Sequence, residues 1–406
     1  MILGSNANNF INYIYHFLMG RILGPSEYGI LASLISLIGL VSVIPLSLNL
    51  VIVKFISSAR DKTEVSHLFF YLQRKIVALS IFVFLLMFFL APKIAGFLNI
   101  KESLLVVLVG LTFLFSLPSL IYRATLQGLL LFKDMIFSIM VENFLKLIIG
   151  VGLVYLGFSV GGAILAIVIA TFFGWLVARS LTQKAIIATF EVKKTDFAPK
   201  YKTEVLIYAI PVLLQSVSMT SLLSTDLILV KHFFPPSEAG LYAALSSLGK
   251  IIFYGVGPIS AVMFPMISQR SAKGHQYTNI FVYSLALTAL LSAVALMVYW
   301  LVPDLAIKLL YGSLYLKAAG LLVWFGLFIA LYTVCNLMVS YFLSLGLTRV
   351  IILPVIAAIA QILGIWIYHD QLFTVIKISI AVAAILLMSL IGYLKFHNKT
   401  RVDVSD

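Results

Sequence analysis

The chain has 406 residues, of which 62% are hydrophobic and only 11% charged, and it carries a formal net charge of +13. Soluble domains hold about 25% charged residues, so this chain cannot clothe itself for water and needs lipid as the solvent for much of its surface. Its basic residues are dispersed between apolar runs, which excludes a nucleic-acid partner as the reason for the charge.

At about 20 residues per crossing, twelve spans are read along the chain. They lie approximately at 4–21, 26–53, 69–90, 103–122, 135–156, 159–181, 204–230, 237–267, 277–301, 318–345, 349–368 and 372–394. Span one carries Ser5, Asn9, Asn12, Tyr13, His16 and Gly20 on one stripe, with Phe10, Ile14 and Phe17 opposite. Such a stripe either lines a wet path or hydrogen-bonds to other polar helices. Between spans one and two, Gly24-Pro25 ends a helix, Ser26 is placed to cap the next, and Glu27 sits in its first turn. Gly29 is small enough for a second helix to approach closely.

Ionisable groups at bilayer depth are costly and face either a cavity or a partner. Arg123 and Gln127, with Lys54, stand near the inner ends of spans four and two, as a basic vestibule or as headgroup anchors. Span five holds Glu142 and Lys146 at i,i+4, a spacing that suits either a self-neutralising ion pair or a lysine aimed at an anion. Span seven gathers Pro211, Gln215, Ser218, Thr225 and Asp226 on one side. Asp226 there either binds a proton or cation or pairs with a base from another helix. In span eight, Lys250 shares a stripe with Ser246, Gly249, Phe253 and Gly257 and has no carboxylate at i±3 or i±4. It therefore either faces an anionic substrate or snorkels to the inner surface. The single Cys335 excludes an internal disulfide, and the six histidines show no ligand spacing, so no metal site is expected.

The run Pro25-Ser26-Glu27-Tyr28-Gly29 and its sequel to Leu37 return 211 residues later as Pro236-Ser237-Glu238-Ala239-Gly240 and on to Leu248. The chain is thus a tandem duplication, with lobes at 1–183 and 204–406 joined by a basic linker at 184–203. Six spans per half is an even number, so the repeats enter the membrane in parallel. Tyr311 to Leu316 read as an insertion in an external loop of the second half. Lys and Arg crowd the loops after even spans and the tail, including Arg60, Lys62, Arg74, Lys193, Lys194, Lys200, Arg270, Lys273, Arg349 and Arg401. By the positive-inside rule both termini and the linker are cytoplasmic, in the cell (plasma or inner) membrane.

The run Gly20-Arg21-Ile22-Leu23-Gly24-Pro25-Ser26-Glu27-Tyr28-Gly29 is similar to the first loop of the polysaccharide flippases that move O-antigen-type repeat units. Asp226 to Lys231, followed by Ser237 to Ala244, resembles the same family's seventh and eighth helices. That family belongs to the multidrug/oligosaccharidyl-lipid/polysaccharide exporter superfamily. The resemblance implies an all-α polytopic protein with two six-helix lobes in a V, and a cationic central cavity working by alternating access. It also implies a polyprenyl-diphosphate-linked oligosaccharide as substrate, with polysaccharide-assembly enzymes as neighbours in the pathway.

On this reading the substrate-facing candidates are Asn9, Asn12, His16, Arg123, Gln127, Glu142, Lys146, Gln215, Asp226 and Lys250. The repeat-loop motif is Arg21, Gly24, Pro25, Glu27, Gly29, Pro236, Glu238 and Gly240. A cation-coupled drug exporter of the same superfamily would favour acidic residues in the path, whereas deep bases prevail here. A membrane glycosyltransferase or polymerase would need paired carboxylates in an ordered loop, a setting the sequence lacks. No catalytic residue or cofactor is expected, and a coupling ion, H+ or Na+, is left open.

Overall fold

The computed structural model describes residues 2–58, 62–187, 202–273 and 275–402. Most of the linker read at 184–203 lies outside these residues. The described residues are helical, without a strand: α1 (Ile2–Ser58), α2 (Lys62–Phe97), α3 (Ser103–Gly128), α4 (Phe132–Leu153), α5 (Ser159–Ile187), α6 (Lys202–Phe233), α7 (Pro236–Ala272), α8 (Thr278–Leu301), the short α9 (Pro303–Leu310), α10 (Ala319–Ser344), α11 (Ile352–Ile367) and α12 (Leu372–Val402). Ten helical stretches among them are long and apolar enough to cross a membrane.

Two of those stretches are interrupted by a break in the helical backbone. Phe132–Ala185, at 54 residues, extends about 81 Å at 1.5 Å per residue, against a hydrocarbon core of about 30 Å. It breaks where α4 unwinds into a π turn, at Gly157 (φ 91°) and Ser159 (φ 48°). Phe10–Val43 breaks at Gly24, whose φ of 72° and ψ of 174° lie outside helical space and suit a residue without Cβ. Each break divides one stretch into two rods, so the ten stretches comprise twelve rods among the described residues. The polytopic all-α expectation therefore holds.

The chain forms two compact units, Met1–Leu213 and Leu214–Asp406. In the first, α3 is the central helix. Val106, Val109, Phe113, Leu117 and Ile121 recur at helical spacing and are buried against α1, α2 and α5. Gly110 brings α2 and α3 together, since a Cβ there would stand 2.9 Å from Met87 Cβ. At the periphery α2 turns Phe82, Leu85, Leu86 and Phe89 outward, which suits lipid rather than water.

In the second unit α10 holds the centre, with Leu322, Phe325, Phe328, Ile329 and Phe342 buried among α7, α8 and α12. α8 exposes Val282, Leu287, Leu290 and Leu291 at the rim.

The repeated motif stands at matching places. Pro25 opens the second rod of α1, just after the break, and Pro236 opens α7. Gly29 and Gly240 are both buried, as are Leu34 and Leu245. At the start of α7, however, Pro235 occupies the cap position, and no side chain there, Ser237 included, makes a capping bond. The stretch Tyr311–Leu316, read as an insertion in an external loop, is structured. Gly312 turns the chain (φ 93°) into a 3-10 segment in which Tyr311 and Tyr315 are buried, their ring centroids 5.2 Å apart. The two buried tyrosines pack this segment onto the second unit.

Gly249 lets α7 lie against α10, because a Cβ there would stand 2.5 Å from Phe325 Cδ1. Gly249→Ala should cost about 1–3 kcal/mol by overpacking, and a second change, Phe325→Leu, should recover part of it. Thermal unfolding of the detergent-purified protein measures both, and additive losses in the double variant would contradict this packing.

Candidate functional site

In the first unit, the polar stripe of the first rod of α1 meets α4. Lys146 sits about 21 Å along α4 from Phe132, at 1.5 Å per residue. Its ammonium donates to Asn12 Oδ1 and lies 5.0 Å from the centre of the Tyr15 ring. Close by, Asn143 Nδ2 donates to Asn8 Oδ1 at 2.6 Å. Tyr15, itself fully buried, donates from its hydroxyl to the Ala163 carbonyl at 3.2 Å. His16 Nδ1 stands 3.2 Å from the Tyr28 hydroxyl, which ties the rods on either side of Gly24. Asn12 is exposed and Lys146 half-buried, so the lysine's partners are a neutral amide and a ring face at the edge of open space. The Asn9 side chain lies outside the described residues.

Glu142 belongs to a different set. Its Oε2 is 2.6 Å from an Arg123 guanidinium nitrogen, an ion pair between α4 and α3. Arg123 also donates to Ser138 Oγ at 3.1 Å and to the Ser138 carbonyl at 3.2 Å. Thr171 Oγ1 stands 3.4 Å from the other Glu142 oxygen. Gly174 of α5 makes room, since a Cβ there would come 2.7 Å from Glu142 Oε2. The i,i+4 ion pair suggested by the spacing of Glu142 and Lys146 is thus not formed. Arg123 offers a guanidinium fork that can bind the carboxylate and Ser138 together, which a lysine point charge cannot. Arg123 consequently stitches α3 to α4 instead of standing free in a vestibule, while Gln127 accepts from Asn49 Nδ2 at 3.4 Å.

In the second unit Asp226 of α6 is fully buried. Tyr242 of α7, equally buried, donates to Asp226 Oδ2 at 2.7 Å, while Oδ1 has no hydrogen-bond partner. Lys250 lies within electrostatic range of that carboxylate, although no ion pair within 4.0 Å joins them. Gln215 accepts from the neighbouring Ser216 hydroxyl at 3.4 Å. Further along the unit, Gln361 donates to the Leu222 carbonyl at 3.3 Å and to Ser379 Oγ at 3.0 Å. Cys335 is buried with its thiol 3.5 Å from the Ala383 carbonyl.

Of the loop motif, Glu27 accepts from Ser159 Oγ at 2.5 Å, which fastens the start of the second rod to the α4–α5 turn. Arg21 and Pro236 are exposed, and Pro25 and Glu238 are half-buried. The structure adds residues that sequence reasoning passed over: Asn8, Tyr15, Ser138, Asn143, Thr171 and Tyr242. Ser138 alone carried a usable signal, because it shares the i,i+4 row with Glu142 and Lys146. At the repeat offset of 211, Tyr15 corresponds to Asp226, and both side chains are buried, the first beneath the Lys146 ammonium and the second bonded to Tyr242.

Residues 18–320 match the family of polysaccharide biosynthesis proteins. The chain belongs to that family. The family resemblance carried by the loop motif is therefore borne out, and the solved structures extend it to the fold. An inward-facing MATE transporter of the MOP superfamily matches with a TM-score of 0.75 at 14% identity, covering 97% of this chain and 96% of that one. The lipid II flippase MurJ, in an inward closed conformation, matches with a TM-score of 0.72 at 14% identity, over 97% of this chain and 88% of that one. A MOP superfamily transporter from Pyrococcus furiosus matches at 0.61 and 14% identity, over 97% and 94%. An uncharacterized membrane protein of Methanocaldococcus jannaschii is 26% identical over 267 residues, 63% of each chain, so the match spans less than two thirds of that relative. This member of the polysaccharide biosynthesis family is a multi-pass membrane protein with a MOP-superfamily fold.

Removing Arg123 strands a partly buried carboxylate. Arg123→Gln should lower stability by about 1–3 kcal/mol, and adding Glu142→Gln should return most of it. A double-mutant cycle by thermal unfolding reads the coupling, and simple additivity would show that the pair contributes nothing.

Proposed function

We propose that the protein translocates a polyprenyl-diphosphate-linked oligosaccharide from the inner to the outer leaflet by alternating access, for polysaccharide assembly. One observation carries the reading: Lys146, at membrane depth, is held by Asn12 and the Tyr15 ring rather than by Glu142, which Arg123 engages. Among the described residues no carboxylate forms an ion pair with it, although Glu142 acts on its charge from one helical turn away, and an intramembrane cation so placed suits an anionic headgroup. Lys250 adds a second deep ammonium in the other unit. A diphosphate needs such a cationic, wet path, whereas the prenyl tail remains in lipid. Family membership supports the substrate class, and a lipid II flippase shares the fold. The protein acts in this reading as a transporter rather than an enzyme.

A cation-coupled drug exporter is the second reading, favoured by the buried carboxylate of Asp226 and by the shared fold of a multidrug-resistance transporter. The Pyrococcus furiosus transporter is described as having a binding pocket of reverse polarity that suggests a different function, so charge is the feature by which to separate the two readings.

The test is transport of a fluorescent undecaprenyl-diphosphate-linked oligosaccharide into the opposite leaflet of proteoliposomes, at matched protein insertion. Lys146→Gln should cut transport about tenfold, the equivalent of about 1.4 kcal/mol, while Lys146→Arg should retain most of it. Because Glu142 keeps Arg123 as its partner, loss of Lys146 does not strand a carboxylate, and the effect reports on the substrate. Equal transport by wild type, Lys146→Gln and Lys146→Glu would refute the electrostatic reading.

Orientation is tested separately. In a Cys335→Ser background, a cysteine at Lys101, between α2 and α3, should react with an impermeant reagent applied to intact cells. One at Lys273, after α7, should react only once the cells are permeabilised. The reverse pattern would invert the proposed topology.

A further inference from the structure

We propose that Arg123 is a positioning residue for anion binding: by holding Glu142, it keeps the Lys146 ammonium open to the diphosphate headgroup. The inference rests on the diphosphate reading above.

Ser138, Glu142 and Lys146 stand at successive i,i+4 places on α4, so the carboxylate lies between the serine and the lysine on one row. Side chains on a helix lean toward its N-terminus, which tips Lys146 toward Glu142 and Glu142 toward Ser138. A glutamate four residues before a lysine is also the favourable order for an ion pair along a helix. Left to α4 alone, Lys146 and Glu142 would therefore close on each other. The structure holds the other arrangement, in which the lysine donates to Asn12 Oδ1 and the glutamate turns to Arg123.

The hold on the glutamate is built around the guanidinium. Arg123 Nη2 reaches Glu142 Oε2 at 2.6 Å and the Ser138 carbonyl at 3.2 Å, while Nε donates to Ser138 Oγ at 3.1 Å. Ser138 is fully buried and donates its own proton to the Met135 carbonyl at 2.8 Å, so its oxygen is left to accept. Gly174 of α5 completes the recess, since a Cβ there would stand 2.7 Å from Glu142 Oε2 and 3.1 Å from Arg123 Nη2. Three helices thus keep the carboxylate against Arg123, one helical turn from the lysine.

Without Arg123, the carboxylate would remain at membrane depth with the Thr171 hydroxyl on one side and Lys146 on the other. A charge so placed takes the opposite charge within reach. Lys146 would exchange Asn12 for Glu142, and a diphosphate would have to displace that carboxylate before it could bind. Arg123 acts through Lys146 and need not touch substrate.

The experiment measures equilibrium binding of undecaprenyl diphosphate to the full-length protein in nanodiscs, with thermal unfolding of each variant alongside. Arg123→Gln should weaken binding about tenfold, and adding Glu142→Gln should restore most of it. In a Lys146→Gln background, Arg123→Gln should weaken binding no further. Ser138→Ala, which slackens the guanidinium without removing it, should shift affinity in the same direction by less, and serves if Arg123→Gln is poorly folded. Unchanged binding by the folded variants, whatever their loss of stability, would overturn the proposal. A loss that Glu142→Gln does not restore, or that persists in the Lys146→Gln background, would make Arg123 a direct ligand of the headgroup and overturn it equally. Wild-type protein that fails to bind undecaprenyl diphosphate, or binds it no better than Lys146→Gln, would remove the diphosphate reading and this inference with it. Binding that Lys146→Gln weakens and Arg123→Gln does not removes the inference alone.

Discussion

A bilayer interior offers polar groups no water, so every hydrogen-bonding or charged side chain placed there has to be matched within the protein or face a wet path. That constraint organises both units. Arg123 could not be tolerated beside α4 without Glu142 and Ser138, and Glu142 could not approach α5 without the space left by Gly174. Lys146 is matched only by neutral partners, which satisfy a donor while leaving its charge intact. Hydrogen bonding and charge balance are separate requirements, and for this lysine a neutral amide serves the first while Glu142 acts on its charge only from a distance.

The same solvent removes the ordinary driving force for packing one apolar helix on another, since lipid is as apolar as leucine. Close approach of backbones and van der Waals contact replace it. Gly110 against Met87, Gly249 against Phe325 and Gly150 against Tyr15 mark crossings where a single methyl group would have to be accommodated. The central helices α3 and α10 carry large side chains inward, whereas α2 and α8 spend theirs on lipid.

Much of the fold was legible in the sequence because span length and hydrophobicity are local properties. The duplication was equally visible, since Pro25 to Leu37 and Pro236 to Leu248 repeat at fixed spacing. The site was less so. Spacing along one helix places Glu142 and Lys146 on a common face but says nothing of Arg123, nineteen residues away on another helix, which has the better fork for a carboxylate. Tyr242 occupies a position where the first repeat has Leu31, and nothing local reveals that its hydroxyl meets Asp226. Tyr311 and Tyr315 read as loop because the turn at Gly312 interrupts the apolar run, although both rings point inward. Contacts between helices depend on rotation and register, which one sequence does not encode locally.

The correspondence of Tyr15 with Asp226 has a genetic side. Tyrosine and aspartate codons differ in their first base alone, so a single nucleotide change at one repeated position separates a ring face from a carboxylate. A duplicated gene begins with halves that are chemically redundant. A substitution of this size, at a buried site, is enough to end that redundancy and make exchange of one half for a second copy of the other a change of chemistry rather than a silent rearrangement.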